Sequence, residues 1–259
     1  LTVEIHPPSI VHQIASGLAQ SGVQTGDLIM VHSSVKSLGH IEGGLETILL
    51  GILEAIGPAG TLLMPALCWT IQPGEVFDPQ TTPVIVGALP EFFRTRPGTI
   101  RSIHPTHSAC GIGKLVHEML DEHYQDRTPC GAHSPFFKLT QLGGKIVMLG
   151  CGLRPNTTMH ALEELVVPPY LFGAERAYLI KHKDGSVCEY LYRTHGFKGW
   201  EQRYDRVENL SVDGKQANDF LKRGKVLEAD TYVLDAGLLR QAVVEKLRQS
   251  PFYFVDPLM

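Results

Sequence analysis

The chain has 259 residues, with 23 Lys+Arg against 27 Asp+Glu and 12 histidines, for a formal charge of −4. That length can bury a full core, and 43% hydrophobic against 19% charged residues excludes intrinsic disorder. Mild acidity excludes an electrostatic footprint for nucleic acid and suits, weakly, a cationic small molecule.

Residues 1–8 contain no basic segment followed by an apolar run, so no signal peptide is expected, and no stretch reaches the roughly 18 apolar residues of a membrane span. A cytoplasmic location follows as the expectation. The five cysteines (Cys68, Cys110, Cys130, Cys151 and Cys188) form no CxxC pair, which predicts reduced thiols rather than a disulfide framework or a cysteine-rich zinc site.

Ser9 can cap a helix through Ile10, Ile14 and Leu18 that ends near Gly22. Residues 27–32 form a short apolar run, the pattern of a buried strand. Leu45, Ile48, Leu49, Ile52, Leu53 and Ile56 make a helical stripe that stops at Gly57-Pro58. Residues 61–65 read as a second buried strand, followed by a Pro-, Gly- and Thr-rich loop to about residue 83 and a short helix over 87–94. The spacing of Ile112, Leu115, Val116 and Met119 predicts a helix over 111–123. A third buried strand covers 145–150, and a helix starts at Thr158.

Beyond residue 170 the pattern changes. Asp184-Gly185 between two apolar runs, 178–182 and 187–193, predicts a β-hairpin. Residues 194–209 are polar and aromatic without a period; Phe220, Val226 and Tyr232 mark short elements; Asp235 caps a helix through Leu238, Leu239, Val243 and Leu247. Alternating strands and helices predict an α/β domain with a parallel sheet, and the hairpin predicts antiparallel additions. One domain over residues 1–259 is expected.

Three stretches can carry chemistry. The loop after the first strand offers the hydroxyls and N–H groups of Ser33 and Ser34, at the end of a strand where open α/β sheets bind ligands. Residues 101–113 are dense in polar groups and end in Gly-x-Gly, where a following helix would present free N–H groups to an anion. The same stretch holds His104 and His107 at a spacing open to metal, but without a third ligand nearby. After the third strand, His160 and Glu163 share a helical face, and a carboxylate beside an imidazole fixes its tautomer and raises its basicity. Cys110 and Cys151 lie in Gly-rich segments as alternative nucleophiles; Trp200, Glu201, Tyr204 and Asp205 mix aromatics with carboxylates, as a polyamine site would.

Met30-Val-His-Ser-Ser34, Gly57-Pro-Ala-Gly-Thr-Leu-Leu-Met-Pro65, Phe77-Asp-Pro79, Arg101-Ser-Ile-His-Pro105, Ser108 to Gly113 and Asn156-Thr-Thr-Met-His160 with Glu163, in this order, resemble the aminoglycoside N3-acetyltransferase (antibiotic N-acetyltransferase) family. The resemblance implies a three-layer α/β/α sandwich with a central mixed sheet and an antiparallel hairpin extension, not the GNAT fold. It implies acetyl-CoA as donor, the 3-amino group of the 2-deoxystreptamine ring of an aminoglycoside as acceptor, and a role in antibiotic resistance. His160 is then the catalytic base, Glu163 its orienting carboxylate, and Asn156 part of the same motif. His32, Ser33, Ser34 and Val35, with Ser108, Ala109, Cys110 and Ile112, would hold CoA. The charge of the acceptor makes Asp78, Glu164, Glu201 and Asp205 candidates for its site, with Glu75 and Glu163 also in reach of that argument. Direct transfer in a ternary complex is expected, with no metal, no nucleic acid and no membrane, and with room for a homodimer. The chain departs from the family pattern in carrying Asn156 where some relatives have Asp, and histidine at both 104 and 107. The competing readings are an acetyltransferase for another amino sugar, a metal-dependent hydrolase, and a CoA- or polyamine-binding module.

Overall fold

The structure is a computed structural model that describes residues 9–72 and 74–258. The expectation for residues 1–8 lies outside the described residues. Helices are α1 (Ile10–Gln20), α2 (Gly44–Ile56), α3 (Ala88–Thr95), α4 (Val116–Leu120), α5 (Pro135–Gln141), α6 (Thr158–Glu164), α7 (Ala217–Phe220) and α8 (Ala236–Gln249). Strands are β1 (Leu28–Ser33), β2 (Thr61–Pro65), β3 (Val76–Phe77), β4 (Ile100–Arg101), β5 (Ala109–Gly113), β6 (Lys145–Leu149), β7 (Phe172–Lys181) and β8 (Val187–His195). They continue with β9 (Trp200–Gln202), β10 (Ser211–Val212), β11 (Lys215–Gln216), β12 (Leu221–Val226), β13 (Ala229–Asp235) and β14 (Val255–Pro257).

Among the described residues the central sheet runs β12-β13-β6-β1-β2-β5-β4. β1 pairs in parallel with β2 and with β6, while β13, β12, β5 and β4 add antiparallel strands at the two sides. Both faces are covered, which is why the runs in β1, β2 and β6 are apolar without alternation. Ile29 and Val31 of β1 pack with Ile14, Ile48, Ile52, Leu89 and Phe93 of α1, α2 and α3. Leu28 and Met30, one residue out of step, pack with Met119, Phe136, Met159, Leu162, Leu239 and Val243 of α4, α5, α6 and α8. Helices on two faces of a mixed sheet make the α/β/α sandwich expected from the sequence, and the β7–β8 hairpin, in register Lys181↔Val187, adds the antiparallel extension. Ser9 and Asp235 cap α1 and α8 as expected. Among the described residues no helix is long and apolar enough to cross a membrane, and every cysteine is a free thiol.

One element differs from the expectation. Residues 111–123 are not a single helix: Ala109–Gly113 is strand β5, antiparallel to β2 with Met64↔Cys110, and only Val116–Leu120 is helical. A Cβ on Gly113 (φ +121°) would lie 2.3 Å from the Gly60 carbonyl oxygen, so the strand's close approach depends on glycine there. Gly113→Ala is expected to destabilise the protein by at least about 2 kcal/mol, through left-handed strain plus overpacking. Thermal melts check this; an unchanged midpoint would show that the strand can shift away from β2.

Candidate active site

From β1 the chain moves to β2 through α2 on one face of the sheet, and it reaches β6, on the other side of β1, after α5 on the opposite face. The two exits diverge, leaving a gap beyond the carboxyl ends of β1 and β6, where open α/β sheets take ligands. A cavity of about 220 Å³ fills that gap. His32 and Ser33 reach it from β1, Cys151, Arg154, Asn156 and Thr157 from the loop after β6, and His160 from α6. Trp69, His107, Gln202 and Tyr204 close its sides.

The centre of the site is a chain of hydrogen bonds beneath His160. Glu163, one turn on along α6, is fully buried and accepts the Tyr170 hydroxyl at Oε1 (2.8 Å) and the Tyr204 hydroxyl at Oε2 (2.6 Å). Burial, and then the neighbouring carboxylate of Glu163, push both phenols above their ordinary pKa, so both remain donors. With its proton given to Glu163, the Tyr204 oxygen is free to accept from His160 Nδ1, 2.9 Å away. Direct contact between His160 Nδ1 and Glu163 Oε2 is longer, at 3.4 Å. The network therefore selects the Nδ1–H tautomer and leaves Nε2 as a lone pair. Glu163 meets His160 mostly through Tyr204, which the sequence flagged only as part of an aromatic-acidic cluster.

Tyr204 is held from the far end of the chain. β14 pairs with β9 just before it, and Asp256 bonds both Arg203 and Arg206, at 2.5 Å each, on either side of it.

Several buried polar atoms of the cavity lining have no partner: Ser33 Oγ, Asn156 Nδ2 and His32 Nε2. Asn156 is positioned by its Oδ1, which accepts from Thr158 N at the start of α6 (3.1 Å). Burial, and then His160, lower the His32 pKa to about 3, so its ring is neutral. Unpartnered donors lining a cavity suit the carbonyl oxygens of a pantetheine arm and a thioester.

The other sequence candidates are placed differently. The Ser34 N–H donates to the Leu149 carbonyl oxygen and Val35 opens a 3₁₀ turn, so neither is part of the cavity lining. Ser108, Ala109 and Cys110 are fully buried in or beside β5, and the Ser108 hydroxyl is committed to Ala66 O and Arg101 Nε. Ile112 lies further along the same strand, against a different surface depression. With a strand instead of a helix start, residues 108–113 offer no cluster of free N–H groups. Asp78 pairs with Lys181 (2.9 Å) away from the cavity. Glu201 and Asp205 reach its rim through Arg154, at 2.6 and 4.0 Å. Glu164 is half-buried, and it accepts from Cys130 N and the Thr128 hydroxyl and bonds His195 Nε2. His104 and His107 do not converge on one point: His104 accepts backbone N–H groups at Nδ1 and bonds Thr128 O at Nε2, which uses both of its nitrogens. Burial raises the Cys110 and Cys151 thiols to about 12, which keeps both protonated and poor nucleophiles.

A family model described as aminoglycoside 3-N-acetyltransferase matches residues 30–248. An aminoglycoside N(3)-acetyltransferase III from Salmonella sp is 35% identical over 253 residues, with 86% of each chain covered. The solved structure of AAC-IIIb with CoASH superposes with a TM-score of 0.78 at 27% identity, covering 97% of this chain and 99% of its own. The aminoglycoside acetyltransferase AAC(3)-IVa, solved as a variant in complex with a gentamicin, superposes with a TM-score of 0.80 at 24% identity, over 98% of this chain and 94% of its own. With a family match that reaches from β1 into α8, and a relative this similar across most of both sequences, the chain belongs to the aminoglycoside 3-N-acetyltransferase family.

Proposed function

We propose that the protein transfers the acetyl group of acetyl-CoA to the 3-amino group of the 2-deoxystreptamine ring of aminoglycoside antibiotics, directly and within a ternary complex. Family membership supports the reaction class, and the CoA-bound neighbour supports the donor. The observation that carries the mechanism is the Glu163–Tyr204–His160 relay at the cavity wall, which leaves one imidazole lone pair uncommitted.

An acceptor amine is mostly ammonium at neutral pH and cannot attack a carbonyl until it loses a proton. The ammonium first gives one proton to water, and His160 Nε2 takes a second from the nitrogen as it bonds to the thioester carbon. Glu163 and Tyr204 steady the imidazolium that forms. The Ser33 hydroxyl, buried and without a partner, is the donor for the developing oxyanion. Collapse breaks the C–S bond, and His160 returns its proton to the departing sulfur. Base catalysis supplies about 10²–10⁴-fold and one oxyanion donor about 10²–10³-fold, so positioning both substrates must provide the rest.

A thiol-release assay tests this with kanamycin, gentamicin, neomycin and simple amino sugars as acceptors. Free thiol is expected only with acetyl-CoA and an aminoglycoside together, with intersecting initial-rate plots and the acetyl group on N3 by NMR. Parallel plots would point to an acetyl-enzyme, and release with amino sugars alone would move the acceptor class.

Tyr204→Phe is expected to lower kcat about tenfold or more, with little change in the KM for acetyl-CoA, because the ring loses its tautomer-fixing partner. An unchanged kcat would mean that Glu163 alone suffices. Glu201 and Asp205, which pair with Arg154 of the cavity lining, are the acidic groups this reading assigns to a polycationic acceptor. The acceptor KM should therefore rise several-fold from low to about 0.5 M salt, as the Debye length shrinks below about 5 Å. A salt-independent KM would indicate a neutral or singly charged acceptor.

A further inference from the structure

Beside the His160 relay, three imidazoles from distant segments converge. One ring nitrogen each from His107, His160 and His195 lies within 4.8 Å of the other two. The rings meet at 82° for His107 with His160, 76° for His107 with His195, and 48° for His160 with His195. Each ring is tied at one nitrogen and free at the other. His107 Nδ1 bonds the Thr106 hydroxyl (2.9 Å), and His160 Nδ1 bonds Tyr204. His195 Nε2 bonds Glu164 Oε1 (3.0 Å), a carboxylate whose oxygens accept from Thr128 and Cys130 as well. His195 therefore donates from Nε2, and its Nδ1 is a buried lone pair without a partner. A cation held between the three rings would give the unpartnered His195 Nδ1 and one nitrogen of each other ring a common partner.

We propose that His107, His160 and His195 form a binding site for a divalent transition metal of the zinc class, with its fourth position open to the cavity. Imidazole nitrogens tied to a carboxylate or hydroxyl on the far side of the ring are the arrangement that orients such ligands. Tetrahedral Zn–N bonds of about 2.0–2.1 Å place the nitrogens roughly 3.4 Å apart, so side-chain rotations must close the cluster by about 1.5 Å at most. The sequence pointed away from a metal because its only visible pair was His104 and His107. The functional consequence rests on the acetyltransferase reading: metal and acceptor proton compete for the same Nε2 lone pair of His160, so bound metal silences the enzyme.

The test starts with full-length protein stripped of metal by a chelator that is then removed. Co²⁺ alone is titrated in without substrates, followed by Zn²⁺ as competitor. Binding of one equivalent, with the intense visible absorption of a four-coordinate nitrogen site, is expected, and Zn²⁺ should abolish that absorption. His195→Ala and, separately, His107→Gln should lose it while circular dichroism and melting show an intact fold. Absence of the absorption at excess Co²⁺, or its persistence in both variants, overturns the site. In parallel, acetyl transfer is measured with and without Zn²⁺: loss of rate restored by chelator supports the block, and full rate at saturating Zn²⁺ overturns it. If Co²⁺ binds as described but no aminoglycoside is acetylated in metal-free buffer, the acetyltransferase reading fails and the metal site stands.

Discussion

His160→Ala should lower kcat for aminoglycoside acetylation by about 10²–10⁴-fold, the usual contribution of a positioned general base. Its affinity for CoA should stay within about twofold, because the unpartnered donors of Ser33 and Asn156 are untouched. The fold should survive, since the side chain is partly exposed at the cavity wall and its loss opens space toward an existing cavity rather than in the core. Initial-rate assays, with circular dichroism and melting on the same samples, separate this from a structural effect. A variant that retains wild-type turnover would place the base elsewhere.

Acid should unfold the metal-free protein within a narrow pH window. Burial holds His32 and His104 near pKa 3, and His123 well below its ordinary value, with His104 and His107 adding to the shift. Their unfolded pKa is about 6.5. Above that pH neither state binds these protons. Below it the unfolded chain takes up protons that the folded protein refuses, so stability falls as pH drops, until the folded pKa values are reached. Each such histidine contributes about 1.4 kcal/mol per pH unit, or about 4 kcal/mol per unit for the three together. Against a stability of about 5–15 kcal/mol, this places unfolding around pH 3–5. Urea titrations at successive pH values in EDTA measure the slope. A stability that stays flat from pH 7 to 4.5 would mean that these rings can reach water without unfolding.

The parts of the fold legible in the sequence were those that local chemistry dictates. The apolar runs of β1, β2 and β6, the Asp184-Gly185 turn, and the Ser9 and Asp235 caps each carry their own signal within a few residues. The β5 segment was misread because Ile112, Leu115, Val116 and Met119 keep a helical period by accident. Its strand character depends on glycines that let it lie against β2, a contact no local pattern displays. His160 with Glu163 was legible because they are three residues apart on one helix. Tyr204, His107 and His195 were not, as participants in that site, because they arrive from three other segments and meet only in the folded chain. Ser108 to Gly113 is dense in polar groups, yet the Ser108 hydroxyl and the Arg101 guanidinium are joined to each other and to backbone carbonyls, a pairing that no local pattern displays.

The Asp256 clamp ties the hydrogen-bonded Glu163, Tyr204 and His160 to strand β14. Among the described residues, β14 contributes no group to the cavity lining, yet it carries the partner of both arginines flanking Tyr204. Loss of this strand would therefore act as an active-site lesion, although none of its described residues lines the cavity.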